Sequence, residues 1–403
     1  MKIHAAEVSK ANGRVRVRVR IELDRRHPER IAASVPDELW YEFPAEAEAM
    51  LYLGPEPFIA ALLPFAMGIR EPIQVSEPIS AQFAYHLRRW QQLYQLWNRD
   101  YFQEVQIQAP GYHTAPPENQ NQQVGMMFSG GVDSFETLLT NLPDENRPPG
   151  YGVTHAIFMF QFDLPEFARA NYDRAVTSFA KLFTGLGIQF LPVDFNGRHF
   201  VPDASVCDGQ TWQNRTHGAG LFGAGLLLSG GLRRLLVSAS SYLFGPSLFG
   251  TNLISDHLLS TEWFEVIHHG FQFTRVDKTL LLAEQPLTYD YLRVCWWQPD
   301  GVQNCCRCPK CLRVMTTLEI AGRLGDYNTF SLPLNKRLLI KEGSASKEVP
   351  FTAENLVYAQ KAGRWDLIPV LALTVFIGRI RLWLKTRMVR RGPQPYGPFR
   401  RKR

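Results

Sequence analysis

The chain has no run of apolar residues approaching the roughly 18 that a membrane-spanning helix requires. Its 403 residues include only six cysteines, too few for the disulfide framework of a small secreted domain. The first twenty residues, MKIHAAEVSKANGRVRVRVR, lack the apolar core of a secretory signal. No repeat or low-complexity array recurs along the chain, which argues against a solenoid. Together these absences lead us to expect a cytoplasmic protein with reduced thiols. Apolar residues make up 45% and charged residues 20%, the balance of a folded chain. The length suits roughly two to four compact units. The net charge of +6 is modest and uneven, because the final thirty residues are rich in arginine.

Residues 14–21, RVRVRVRI, alternate strictly and predict a strand. Val15, Val17, Val19 and Ile21 would face a core, and the arginines would face water or, less simply, a nucleic acid. Residues 44–69 read as apolar helix interrupted at GPEP, and 80–98 as a helix with Phe83, Leu87, Trp90, Leu93 and Leu96 on one face. Residues 109–123, APGYHTAPPENQNQQ, read as a linker. Beyond it the pattern alternates. Strands GMMF, HAIFMFQF, QFLPVDF and RRLLVSAS are each followed by a helical stretch, the last being TEWFEVIHHG. Such alternation predicts an α/β fold, a doubly wound parallel sheet with helices on both faces. Ligands of such sheets bind beyond the carboxyl ends of the strands.

The segment VGMMFSGGVDSFETLL, residues 124–139, places a glycine loop between the first of these strands and its helix. A helix N-terminus presents backbone N–H groups and partial positive charge, and so receives phosphate. Gly130 and Gly131 allow close approach. Ser129 and Ser134 offer hydroxyls, Val132 lies between them, and Asp133 can help to hold Mg2+ or cap the helix. The Walker lysine and the dinucleotide fingerprint are both missing from this loop. A second Ser-Gly-Gly, Ser229 to Gly231, follows a helix and precedes a strand, the position of a helix C-cap. Cys295, Cys305, Cys308 and Cys311 have the short steps of a four-thiolate zinc site, although the same spacing suits an iron–sulfur cluster. Cys306 would stay unligated or replace Cys305. Arg215 and His217 open a helix near the ligand end of the sheet, the first suited to binding a carboxylate or phosphate and the second to general base work. Asp256 and His257 share a loop, Ser260, Thr261 and Glu262 read as a helix start, and Lys278 is a cation for a leaving pyrophosphate. Cys207 is isolated.

Ser-Gly-Gly-Val-Asp-Ser resembles the pyrophosphate loop of the adenine-nucleotide α-hydrolase-like (HUP-like) superfamily, the PP-loop or N-type ATP pyrophosphatases. With the cysteine cluster about 170 residues later, the chain is similar to the 7-cyano-7-deazaguanine synthase family over residues 122–325. The resemblance implies an ATP-dependent ligase. It would adenylate a substrate carboxylate, releasing pyrophosphate, and ammonia or an amine would then displace AMP to form a C–N bond. It implies ATP and Mg2+ at Ser129 to Ser134, and Zn2+ on Cys295, Cys305, Cys308 and Cys311. The chain resembles more closely the longer relatives found in defence and biosynthetic clusters, which points to a small-molecule or protein-terminus substrate and a partner protein. Alternatives are a tRNA-modifying sulfurtransferase, for which Cys207 would carry sulfur and RNA would be the partner, and a non-catalytic nucleotide-binding scaffold. The implied organisation is an added α+β domain at 1–115, a linker at 116–123, the PP-loop domain at 124–294, a zinc-cysteine element and helix at 295–345, and a helical segment with a basic tail at 346–403. The apolar run from Leu367 could pack in a core, lie on a membrane, or dock RNA or protein.

Overall fold

A computed structural model describes residues 1–24, 35–114, 123–162, 164, 166–200, 215–240, 249–295 and 303–391. The chain divides into two compact units, Met1–Gln272 with residues 300–302, and Phe273–Pro299 with Gln303–Arg403.

In the first unit the short strand β1 (Lys2–Ile3) precedes the hairpin β2 (Glu7–Ala11) and β3 (Arg14–Glu22). The alternation read in RVRVRVRI is borne out, because Val15, Val17, Val19 and Ile21 are all buried. The arginines on the other face meet carboxylates. Arg14 reaches Asp194 at 3.1 Å and Arg16 reaches Glu42 at 2.8 Å, while Arg18 pairs with Glu7 and Arg20 with Glu22. This is a paired, solvated face. Strand β4 (Glu38–Pro44) lies antiparallel to β3. Helix α1 (Glu56–Ile69) begins within GPEP, with Pro55 as its N-cap, and is almost wholly buried. Strands β5 (Ile73–Gln74) and β6 (Ile79–Ser80) lead into helix α2 (Ala81–Trp97). On α2 Phe83, Leu87 and Trp90 are buried, but Leu96 is 57% exposed. Two further short strands, β7 (Ile107–Gln108) and β8 (Tyr112–His113), precede the expected linker, most of which lies outside the described residues.

Then come β9 (Gln123–Met127), helix α3 (Val132–Thr140), β10 (His155–Met159), helix α4 (Arg169–Leu186), β11 (Gln189–Phe195), helix α5 (His217–Leu227), β12 (Leu232–Ser238) and β13 (Glu265–His269). The sheet order is β13-β12-β9-β10-β11-β4-β3-β1-β5-β7, with β2 on β3. From β13 to β11 every pairing is parallel. Beyond β11 the sheet continues through antiparallel β4, so the strands of residues 1–115 extend the same sheet. The fold is thus α/β with a large mixed sheet.

One expected helix is a strand. TEWFEVIHHG forms β13, in register with β12 from Arg234↔Glu265 to Ser238↔His269. Its short apolar run with Val266 and Ile267 fits both a strand and a helix, and pairing with β12 decides it. Ser260 and Thr261 therefore start no helix. Ser260 Oγ accepts from Val266 N at 3.0 Å, and Thr261 Oγ1 from Phe264 N at 3.1 Å. Glu262 caps a different helix, α2, through Ser80 Oγ and the Gln82 amide.

The second unit is helical among the described residues. It contains α6 (Arg275–Ala283), α7 (Pro309–Ile320), α8 (Lys336–Gly343), α9 (Val349–Lys361) and α10 (Ile368–Arg391). Leu312, Ile320, Leu339, Ala359, Leu367 and Leu371 form its core.

Candidate functional site

The chain builds β9, β10 and β11 in one direction from β9, then crosses to place β12 on its other side. The strand order therefore reverses at the carboxyl end of β9, where Phe128 to Gly131 lead into α3. Gly130 has φ +75°, a conformation that favours glycine. A Cβ there would also stand 2.3 Å from Phe179 Cζ. The N-cap is Gly131, with no side-chain cap hydrogen bond. Ser129 Oγ instead braces the turn, accepting from the Gly131 amide at 3.3 Å and lying 3.3 Å from Ser134 Oγ. Ser134 donates to the Gly131 carbonyl at 3.0 Å. Val132 and Ser134 are buried, while Ser129 and Asp133 are half-buried. The loop thus has a rigid inner side and a helix N-terminus at its outer side.

The second Ser-Gly-Gly is used differently. Ser229 Oγ accepts from Trp263 Nε1 at 3.2 Å, and a Cβ on Gly230 would meet the Met50 carbonyl oxygen at 2.8 Å. This triplet is packed beneath residues 50 and 51. Gly218, Gly220 and Gly223 have dinucleotide-fingerprint spacing, but they lie inside α5, where Gly218 approaches Gly250 and Gly223 approaches Tyr41.

Around the carboxyl ends of β12 and β13 lie two buried polar groups. Glu136, one turn beyond Asp133, is fully buried, with Oε1 3.7 Å from His269 Nδ1. Asn141 Nδ2 lies 3.0 Å from His269 Nε2. On the adjacent residue His268, Nδ1 is 2.8 Å from Asp256 Oδ2. Asp256 also accepts from the Asn252 amide at 2.7 Å. His257, which the sequence groups with Asp256, is exposed. The Asp256–His268 and Glu136–His269 pairings join residues too far apart in sequence for spacing to reveal them.

Arg215 and His217 stand at the start of α5. A helix joining two parallel strands begins at their carboxyl edge, so both lie on the ligand side of the sheet. Arg215 lies over the Tyr101 ring at 4.5 Å. Its Nε and Nη2 are 2.8 Å from the Asn98 amide oxygen in the orientation that satisfies both groups. His217 packs edge-on against Phe249 at 5.1 Å and abuts Gly250. Lys278 is buried on α6 and belongs to the second unit. Cys207 lies outside the described residues.

In the second unit Cys295, Cys305, Cys308 and Cys311 bring their sulfurs within 4.8 Å of one another. Cys311 Sγ is 3.4 Å from Cys295 Sγ and 3.7 Å from Cys305 Sγ. Four thiolates around one ion with bonds of about 2.3 Å would stand about 3.8 Å apart. The chain folds this way for local reasons. Cys306 takes φ +58°, turning the backbone so that the Cys308 amide donates to Cys305 Sγ at 3.2 Å. The Cys305 amide donates to Cys295 Sγ at 3.2 Å. Cys308 is the N-cap of α7 and Cys311 lies in its first turn, where the helix dipole favours thiolate. Hydrogen bonding with Cys295, followed by burial, pushes the Cys308 thiol up to about 12. Cys311 is raised further, first by hydrogen bonding with Cys295. Four anions at this separation repel, and a divalent cation removes that repulsion, so the cluster can hold a metal ion such as zinc. Cys306 points away, its thiol 3.4 Å from the Asn304 carbonyl oxygen.

Sequence spacing missed Asn304. It is fully buried. Its side chain accepts from the Val294 amide at 2.8 Å and donates to the Leu292 carbonyl at 2.9 Å. It ties the approach to Cys295 to the turn carrying Cys305. A single asparagine beside a cysteine carries no sequence signal.

Compared with known proteins, the chain matches no family model, no curated protein and no solved structure.

Proposed function

We propose that the chain is an ATP-dependent ligase of the PP-loop type, with a doubly wound HUP-like nucleotide-binding core. One observation carries this reading: the Ser-Gly-Gly-Val-Asp-Ser loop joins a parallel strand to a helix N-terminus where the strand order reverses. The phosphates of ATP lie against the first-turn amides of α3 and the hydroxyl of Ser129, while Ser134 braces the loop from within through the Gly131 carbonyl. Asp133 is the residue that would hold Mg2+, which would offset the negative charge of the phosphates. A substrate carboxylate oxygen attacks the α-phosphorus and pyrophosphate departs. The nitrogen of ammonia or an amine then attacks the acyl carbon, and AMP leaves with the electron pair of the broken C–O bond. Nitrile formation would require a further dehydration after the amide. The protein's contribution is positioning and charge stabilisation. His217 stands on the ligand side of the sheet as the candidate base. Arg215, engaged by Asn98 and Tyr101, fits a positioning role. The proposal makes no use of Lys278.

The thiol cluster holds zinc in this reading. Sulfurs this close suit one ion, whereas a polynuclear iron–sulfur cluster would hold them farther apart. A closed four-sulfur site is structural, with no position for water.

Pyrophosphate release from ATP tests the enzyme proposal, using a panel of carboxylates that includes 7-carboxy-7-deazaguanine. AMP and pyrophosphate should accumulate with one of them and ammonia. Asp133→Asn should lower the rate by about a hundredfold. Formation of ADP instead of AMP would overturn the proposal.

A further inference from the structure

Helix α10 is apolar on two opposite faces. Leu371, Thr374, Val375 and Gly378 are buried on one of them. A Cβ on Gly378 would stand 2.3 Å from Val349 Cγ2, so this face is seated closely on α9. At 100° per residue, the opposite face carries Leu373, Phe376, Ile380 and Leu384, which are 46%, 62%, 42% and 47% exposed. Water gains nothing from such a stripe, and isolated exposed apolar residues do not fall into register over several turns. Arg379 and Arg381 flank it, and Lys385 stands on the same helix, all three exposed. After Asp366 the sequence contains ten basic residues and no acidic one, so the rest of the chain is net acidic although the whole is +6.

We infer that this outward face of α10 docks on an anionic lipid surface. An amphipathic basic helix lies in the plane of a bilayer, its apolar side among the acyl chains and its arginines at the headgroups. No described helix is long and apolar enough to cross a membrane, so this helix would lie on it. The charge decides against the other occupants. Two copies joined through this face would bring like charges together. An RNA would use the arginines but leave the leucine, phenylalanine and isoleucine row without purpose. The inference is independent of ATP chemistry.

The test is flotation of the full chain with phosphatidylcholine vesicles, with and without phosphatidylserine. Binding should require phosphatidylserine and weaken as salt rises. The double variant Phe376→Glu/Ile380→Glu should partition about tenfold less or weaker still. Arg379→Glu/Lys385→Glu, which reverses two charges on the helix, should also lose binding. Both pairs are exposed, so thermal melting should match the parent. Binding that ignores phosphatidylserine overturns the inference. So does an apolar variant that floats like the parent, since charge alone would then suffice. An apolar variant that abolishes self-association, in a chain that does not float, would assign the face to a second copy instead.

Discussion

Gly130→Ala is the sharpest perturbation of the loop. Two costs combine at this position. The backbone has φ +75°, and a side chain held there costs about 1–2 kcal/mol. The new methyl would also lie 2.3 Å from Phe179 Cζ. Phe179 is fully buried and wedged edge-on between Phe128, at 5.1 Å, and Phe158, at 5.3 Å. It cannot retreat without shifting those rings, and overpacking of this kind costs about 1–3 kcal/mol. The variant should therefore lose about 2–5 kcal/mol, with the melting temperature falling by several degrees. Urea denaturation with a probe of the first unit measures the loss. Phe179→Leu in the same background removes the ring but not the backbone strain. The double variant should accordingly be less destabilised than the sum of the singles, by about 1 kcal/mol or more. A Gly130→Ala protein within about 0.5 kcal/mol of the parent would refute the reasoning, because neither cost would then exist.

Three other outcomes follow from the same structure. Metal analysis should find zinc bound to the parent and retained by Cys306→Ser but lost from Cys311→Ser, whose second unit should be destabilised by roughly several kcal/mol; equal metal content in both variants would contradict the assignment. His155 is buried between Thr154 and Gln189, and burial lowers its pKa from 6.5. The unfolded chain therefore binds the proton more readily, so stability should fall as pH drops below about 6.5, and His155→Gln should flatten that part of a melting-temperature profile. Gly185 lies exposed near the end of α4 with open space around it, so Gly185→Ala should raise stability by about 0.5–1 kcal/mol in a thermal melt.

Much of the first unit is legible because its periods are strong. RVRVRVRI and QFLPVDF form strands over nearly the residues expected, and α2 to α5 follow their apolar spacing. The loop was legible because strand, glycines and helix lie in one short stretch, and the four thiols because their ligands are close in sequence. What escaped depends on distant residues. β13 is indistinguishable from a short helix until β12 lies beside it. Glu262 looks like a cap for its own segment, but its carboxylate reaches α2 across 180 residues of chain. The parallel sheet expected after the linker continues through β4 and β3, because the pairing of Asp194 and Phe195 with Glu42 and Tyr41 leaves no local trace. Asn304 and the Asp256–His268 pair are likewise products of tertiary structure.

Equilibrium binding of Mg2+–ATP to the full chain and to Ser134→Ala tests the central claim most directly. The parent should bind the nucleotide, with the affinity lowered about tenfold when the hydroxyl that donates to the Gly131 carbonyl is removed from the loop. A parent that binds no ATP, or a variant that binds it as tightly, would contradict the account.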